Sequence, residues 1–94
     1  MLDKDIEELR ARIVVLERLV VMLVGELYVD AQRRGQDGRE LAAKDLATWH
    51  RHLARATFPG LDPALADLRA AGVEKAASEI LRAVADHVGL RLAT

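Results

Sequence analysis

Residues 5–30 read DIEELRARIVVLERLVVMLVGELYVD, and the spacing of the apolar side chains in this stretch decides the fold class. Ile6, Ile13, Val20 and Leu27 recur every seven residues, with Leu9, Leu16 and Leu23 between them. Steps of three and four alternate, which keeps all seven on one narrow seam of a helix. No alternation of the β type competes with it. The stretch therefore predicts a long helix over 5–34, opened by a capping box of Asp5 and Glu8 and closed before Gly35-Gln36-Asp37-Gly38.

Working outward, the punctuation places three shorter helices after it. Asp37 and Glu40 form a second capping box, and a stripe of Ala42, Leu46, Trp49, Leu53 and Ala56 runs over 38–57. Phe58-Pro59-Gly60 ends that helix, because a residue before proline is pushed out of helical geometry. Asp62 as N-cap and Pro63 at the first helical position open a short helix over 63–71, with Leu65 and Leu68 facing inward. Gly72 reads as its left-handed terminator. A last helix over 73–88 carries Val73, Ala77, Ile80, Leu81, Val84 and Val88 on one side and stops at Gly89, leaving Leu90 and Leu92 as an apolar tail. The expectation is a single all-α domain over 1–94: a long coiled-coil-like helix, three packing helices, and a bundle completed by homodimerisation.

Composition agrees with that class. The chain has 94 residues, 51% apolar and 31% charged, with 3% aromatic and no cysteine. A core so poor in aromatics is built from aliphatic side chains, which pack most naturally between helices. The absence of cysteine excludes disulfides and thiolate metal sites and fits a reducing compartment. Net charge is −1, too close to neutral for a general attraction to nucleic acid or anionic membrane. The apolar run from Ile13 to Val29 is broken by Glu17, Arg18 and Glu26, whereas a bilayer span needs about 20 largely apolar residues. The start, Met1-Leu2-Asp3-Lys4-Asp5, is acidic where a secretory signal is basic. A cytoplasmic protein is expected. Eleven arginines against three lysines, with abundant alanine, is a bias of GC-rich bacterial and phage genes.

The seam argues for self-association. With Ile6 at heptad position a, β-branched residues occupy a and leucine occupies d, a pattern that favours parallel two-stranded pairing, although Leu27 at a and Asp30 at d dilute it. A parallel pair sets Asp5 near Arg10 and Arg12 near Glu17 of the second copy. An antiparallel pair centred near residue 16 sets Asp5 against Glu26 and Glu17 against itself. On the other side of the helix lie Val14, Val15, Val21, Met22, Tyr28 and Val29, with Gly25 among them where a crossing helix can approach closely. A helix apolar on both sides is a buried helix. The economical arrangement gives one side to a second copy and the other to the chain's own helices. A monomeric bundle with this helix at its centre is the competing arrangement.

Candidate chemistry is sparse. Residues 33–58 carry six bases against three acids, the only basic part of the chain. Within it His50, Arg51, His52 and Arg55 form a candidate partner-binding face, with Trp49 assigned to the core. The two histidines are two residues apart and so point to different sides of a helix, whereas chelation needs a spacing of three or four. His87 has no carboxylate at a ligand spacing. A helix-turn-helix around Gly72 is disfavoured, since its second helix carries Glu74, Glu79 and Asp86 against Lys75 and Arg82 and duplex binding requires net basic charge. No serine–histidine–acid constellation, glycine-rich phosphate loop or HExxH is present. The sequence thus predicts no cofactor, no metal and no enzymatic activity. It predicts a homo-oligomeric interaction module or scaffold that binds an unidentified protein partner. A different reading of the same features is a small phage- or plasmid-encoded inhibitor, of the anti-CRISPR kind, that blocks a bacterial enzyme or nucleoprotein complex sterically.

Overall fold

A computed structural model describes residues 2–93 and contains three helices among them: α1 (Leu2–Arg33), α2 (Gly38–Ala54) and α3 (Pro63–Leu92). The two terminal positions of the expected 1–94 domain lie outside the described residues. The helices run up, down and up. Tyr28 and Gln32 of α1 meet Asp45 and Gly38 of α2, His50 of α2 meets Ser78 of α3, and Glu26 of α1 meets Arg91 of α3. The first and last helices are therefore parallel to each other, with α2 antiparallel to both.

Local chemistry explains the turn after α1. Gly35 adopts φ +89°, its N–H donates to Gln32 O, and the Gln36 N–H donates to Ala31 O. These two bonds close a Schellman motif, which takes up carbonyls that the helix end leaves unpaired. Asp37 then caps α2 by accepting from the Glu40 N–H at 3.1 Å. Gly38 is buried, donates to Gln32 Oε1 at 2.7 Å, and has no room for a β-carbon, which would run into the Tyr28 carbonyl. The chain thus reverses at once, and α2 lies directly on the C-terminal part of α1.

The core is confined to this end of the molecule. Tyr28, Ala42, Leu46, Val84 and Val88 form one buried cluster, with Val21, Val24, Leu41, Leu81 and Leu92 packed around it. Val29 and Ala77 are also buried. Beyond the reach of α2 the chain is unusually open. Its radius of gyration is 16.3 Å and its extents are 48 × 33 × 15 Å, against roughly 13 Å for a compact domain of about this size.

Several boundaries differ from the sequence reading. The first helix starts at Leu2, three residues before the expected cap, so Asp3 and Asp5 sit in its first turn, where acidic groups are favoured by the helix dipole. At the other end of the hairpin, α2 stops at Ala54 instead of 57, its last turn tightened by Arg55 N–H donating to His52 O. Leu53 is exposed there, so no burial rewards a further turn.

The largest correction is Gly72. In place of two helices over 63–71 and 73–88 there is one of 30 residues, nearly the length of α1, and no turn exists for a helix-turn-helix. Among the described residues positive φ is confined to Gly35 and Gly60. Glycine in a helix costs only about 1 kcal/mol relative to alanine, and its flanks, Ala70-Ala71 and Val73 through Ala77, continue the ladder and the buried stripe. Gly89 is likewise helical, and Leu92 is drawn onto the core. Leu65 and Leu68, expected inward, are exposed, because α2 does not extend alongside them.

Gly72→Ala is a direct check on this geometry. A β-carbon there meets nothing within 4 Å, so the substitution stabilises the chain by about 0.5–1 kcal/mol and raises Tm by a few degrees in a thermal melt. A left-handed terminator would give a fall instead.

Candidate interaction surface

Every residue from Asp3 to Val20 is exposed. The N-terminal half of α1 is an arm that the chain's own helices do not cover, although nine of the 18 residues from Asp3 to Val20 are apolar. Seam positions Ile6, Leu9, Ile13, Leu16 and Val20 all lie on this arm and all face solvent. The seam continues exposed alongside the folded body. Leu9, Leu16, Leu23 and Leu27 leave 60%, 60%, 69% and 65% of their surface accessible, so the two at body level are as open as those on the arm.

The opposite side of α1 divides at Val21. Tyr28 and Val29 are buried and Val21 is half-buried, as expected for residues receiving α2 and α3. Val14, Val15 and Met22, expected on the same covered side, are exposed. They sit at or beyond the point where the short α2 runs out. Val15 and Leu16, with Ala11 and Arg12, line an open apolar depression of about 450 Å³. Around Ile13 to Leu23 the arm therefore offers apolar side chains on more than one side.

Besides the aliphatic core, a polar clamp ties α1 to α3 at the other end. Gly25 faces the His87 ring closely enough that a β-carbon would overlap it. The close approach expected at this glycine is thus realised, with α3 as the crossing helix. Beside it, Arg91 donates to both oxygens of Glu26, from Nη2 to Oε1 at 2.8 Å and from Nε to Oε2 at 3.1 Å. His87 Nε2 lies 3.3 Å from Glu26 Oε2. A two-pronged guanidinium–carboxylate pair is the strong form of this interaction. The Arg91 hydrogen bonds hold the Glu26 carboxyl down at about 2, with a smaller push in the same direction from His87. Residues 61 and 65 positions apart leave no local signal of such a pairing. Only Gly25 hinted at where a helix would cross.

A second contact locks α1 to α2. The Tyr28 hydroxyl donates to Asp45 Oδ2 at 2.9 Å, and its ring lies 6.4 Å from that of Trp49, tilted by 53°. Burial, and then the Asp45 carboxylate, push the Tyr28 phenol well above its ordinary range. Trp49, expected in the core, is instead exposed at the core's edge, where Tyr28 covers one side of its ring.

The four residues assigned to a partner face are not equivalent. Arg51, His52 and Arg55 are exposed on α2, with Arg51 reaching back to Thr48 Oγ1. His50 is turned toward α3, its Nε2 3.0 Å from Ser78 Oγ. This histidine–serine contact was invisible in the sequence, but it has the wrong surroundings for a nucleophile. Ser78 sits inside α3, where neighbouring backbone N–H groups are committed to the helix ladder and cannot stabilise an oxyanion. Among the described residues no carboxylate bonds the His50 ring to orient it. Among the described residues no group of three or more His, Asp or Glu could hold a metal ion, and no helix is long and apolar enough to cross a membrane.

Comparison with known protein families, characterised proteins and solved structures finds no match to this chain.

The clamp predicts a specific acid sensitivity. The depressed Glu26 group contributes stability that is complete above its ordinary value of 4.5 and is lost as pH falls toward about 2. Glu26→Gln should therefore melt below wild type at pH 7, and the gap in Tm should close as the pH is lowered through that window. A gap that stays constant to pH 2 would show that the carboxylate charge is not what the clamp uses.

Proposed function

We propose that this chain is a non-enzymatic helical interaction module or scaffold that self-associates through α1 and acts by binding another macromolecule. One observation carries the reading: a seam of seven apolar residues stays exposed along a helix whose other contacts are already made by the chain's own body. Contiguous exposed apolar surface of this kind on a soluble chain marks an interaction site. A 3.5-residue repeat is, moreover, a pattern suited to pairing with another long helix and unnecessary for packing against short ones. The missing catalytic groups and the open, shallow depressions argue for binding over chemistry.

Within this reading the second partner meets the exposed basic side of α2. Arg51 and Arg55 are the strongest cations on it, with His52 between them. Such a face suits an acidic protein surface, and His50 contributes less because Ser78 occupies its ring nitrogen.

The oligomeric part is checked by light scattering after gel filtration. Wild type should elute at twice the 10.4 kDa chain mass. Leu16→Asp should elute as a folded monomer, because an uncompensated charge in a paired seam costs about 3–5 kcal/mol, roughly a hundredfold or more in affinity. Leu16 lies outside the core, so far-UV circular dichroism and Trp49 fluorescence should be unchanged. Wild type at one chain mass would end the self-association reading. The partner face is checked separately by the Arg51→Glu/Arg55→Glu double variant, which should abolish capture of the partner recovered with wild type while leaving the oligomer intact. Undiminished capture would move the binding site elsewhere.

A further inference from the structure

We propose that two copies of the chain pair their α1 helices in parallel and in register, so that each seam residue meets its own counterpart. The inference rests on the self-association reading and adds the orientation and register of the second copy. Three observations carry it.

The first is the side chemistry of the seam. Ile6, Ile13 and Val20 at a with Leu9, Leu16 and Leu23 at d match the packing of a parallel two-stranded coil, in which β-branched knobs fit the a layer and leucine the d layer. All of these residues are exposed, so no tertiary contact has already claimed them.

The second is where the body stands. Leu23 and Leu27 remain open beside a core that buries Tyr28 and Val29 of the same helix turns. Both α2 and α3 thus lie off the seam. Two copies can align along its whole length with their three-helix bodies flanking it at the same end and the arms together at the other.

The third is charge. In the parallel register Arg12 meets Glu17 of the second copy, and Asp5 meets Arg10. Arg12 and Glu17 make no ion pair within their own chain among the described residues, and both are exposed, so they are available to each other across the seam. Arg10 does pair within its helix, with Glu7 at 2.8 Å, which makes the Asp5 contact the weaker of the two. The structure also revises the case against the antiparallel pair. Glu26 is already neutralised by Arg91, so its encounter with Asp5 is less repulsive than the sequence suggests. The Arg12–Glu17 pair itself joins a g position to an e position, which a parallel pair brings together and an antiparallel pair does not. Exposed pairs contribute only about 0.2–1 kcal/mol each; they select orientation while the seam supplies affinity.

In this arrangement the two α2 helices stand at the same end of the assembly. Two basic faces near one another give one extended acidic partner two simultaneous contacts, which raises avidity without a new type of contact.

The natural chain has no cysteine, so single introduced thiols report the geometry directly. Leu9→Cys is placed at an exposed d position. In the parallel pair its two copies approach within the roughly 4.4–6.8 Å Cα separation that a disulfide needs. In an antiparallel pair centred near residue 16 they are about 20 Å apart at ~1.5 Å per residue. Mild oxidation of Leu9→Cys alone should therefore convert most of the protein to a cross-linked dimer on a non-reducing gel, and Leu23→Cys alone should do the same. An equimolar mixture oxidised together should yield only dimers that link like to like. If neither variant links alone while light scattering still finds twice the chain mass, the pair is not parallel and in register, and the proposal is overturned with self-association intact. If neither the single variants nor the mixture links and light scattering finds one chain mass, self-association itself fails.

Discussion

A helix of 17 residues lies between one of 32 and one of 30, and this mismatch in length governs the rest of the molecule. Antiparallel to both neighbours, α2 can cover only about half of either. Its N-terminus is pinned by the tight reversal at Gly35 and Asp37, so the half it covers is the C-terminal half of α1 and the matching part of α3. Every buried side chain lies in that zone. Beyond it the two long helices run on without a third to close them. The exposed arm, the solvent-facing Leu65 and Leu68, and the large radius of gyration are all the same fact seen from different residues.

Within the covered zone the apolar core is small, and two polar contacts at its edges set how the helices align. Tyr28 to Asp45 fixes α1 against α2, and Glu26 with Arg91 and His87 fixes α1 against α3. Aliphatic side chains interdigitate between the helices, and the guanidinium fork adds a directional constraint, since a shift of one turn would separate it from the carboxylate by about 5.4 Å. Gly25 brings the helices close enough for His87 to join the contact. The clamp also gives Glu26 its partner on a neighbouring helix rather than in a neighbouring turn.

The two periodicities of α1 have separate uses. Val21, Val24, Gly25, Tyr28 and Val29 serve the chain's own body. The heptad stripe of Ile6 through Leu27 lies to one side of that face and is left unused by tertiary packing, even at body level where covering helices stand close by. A helix whose strict 3.5 repeat merely served an internal core would have that stripe buried first. The division of labour instead leaves the stripe exposed along its whole length, and it is this separation of faces that gives the proposed interaction its physical content.

From the amino-acid order alone came whatever depends on near neighbours: the helical character of nearly the whole chain, the glycine closure at Gly35, the Asp37 cap on Glu40, the proline start of α3 and the narrow seam on α1. Each is decided by groups within about one turn of each other, so a local reading suffices. Gly72 shows where such a reading stops. Glycine can terminate a helix or be carried inside one, and the choice depends on whether the residues after it gain burial by continuing, which Val73, Ala77 and Val84 do. The end of α2, the outward turn of Leu65 and Leu68, the pairing of His50 with Ser78 and the clamp on Glu26 likewise required the tertiary structure. They depend on which elements meet across tens of residues, and burial is a property of the assembled surfaces, not of any segment. The sequence marked both sides of α1 as apolar; only the packing of α2 and α3 decided which side the chain covers itself and which it leaves exposed.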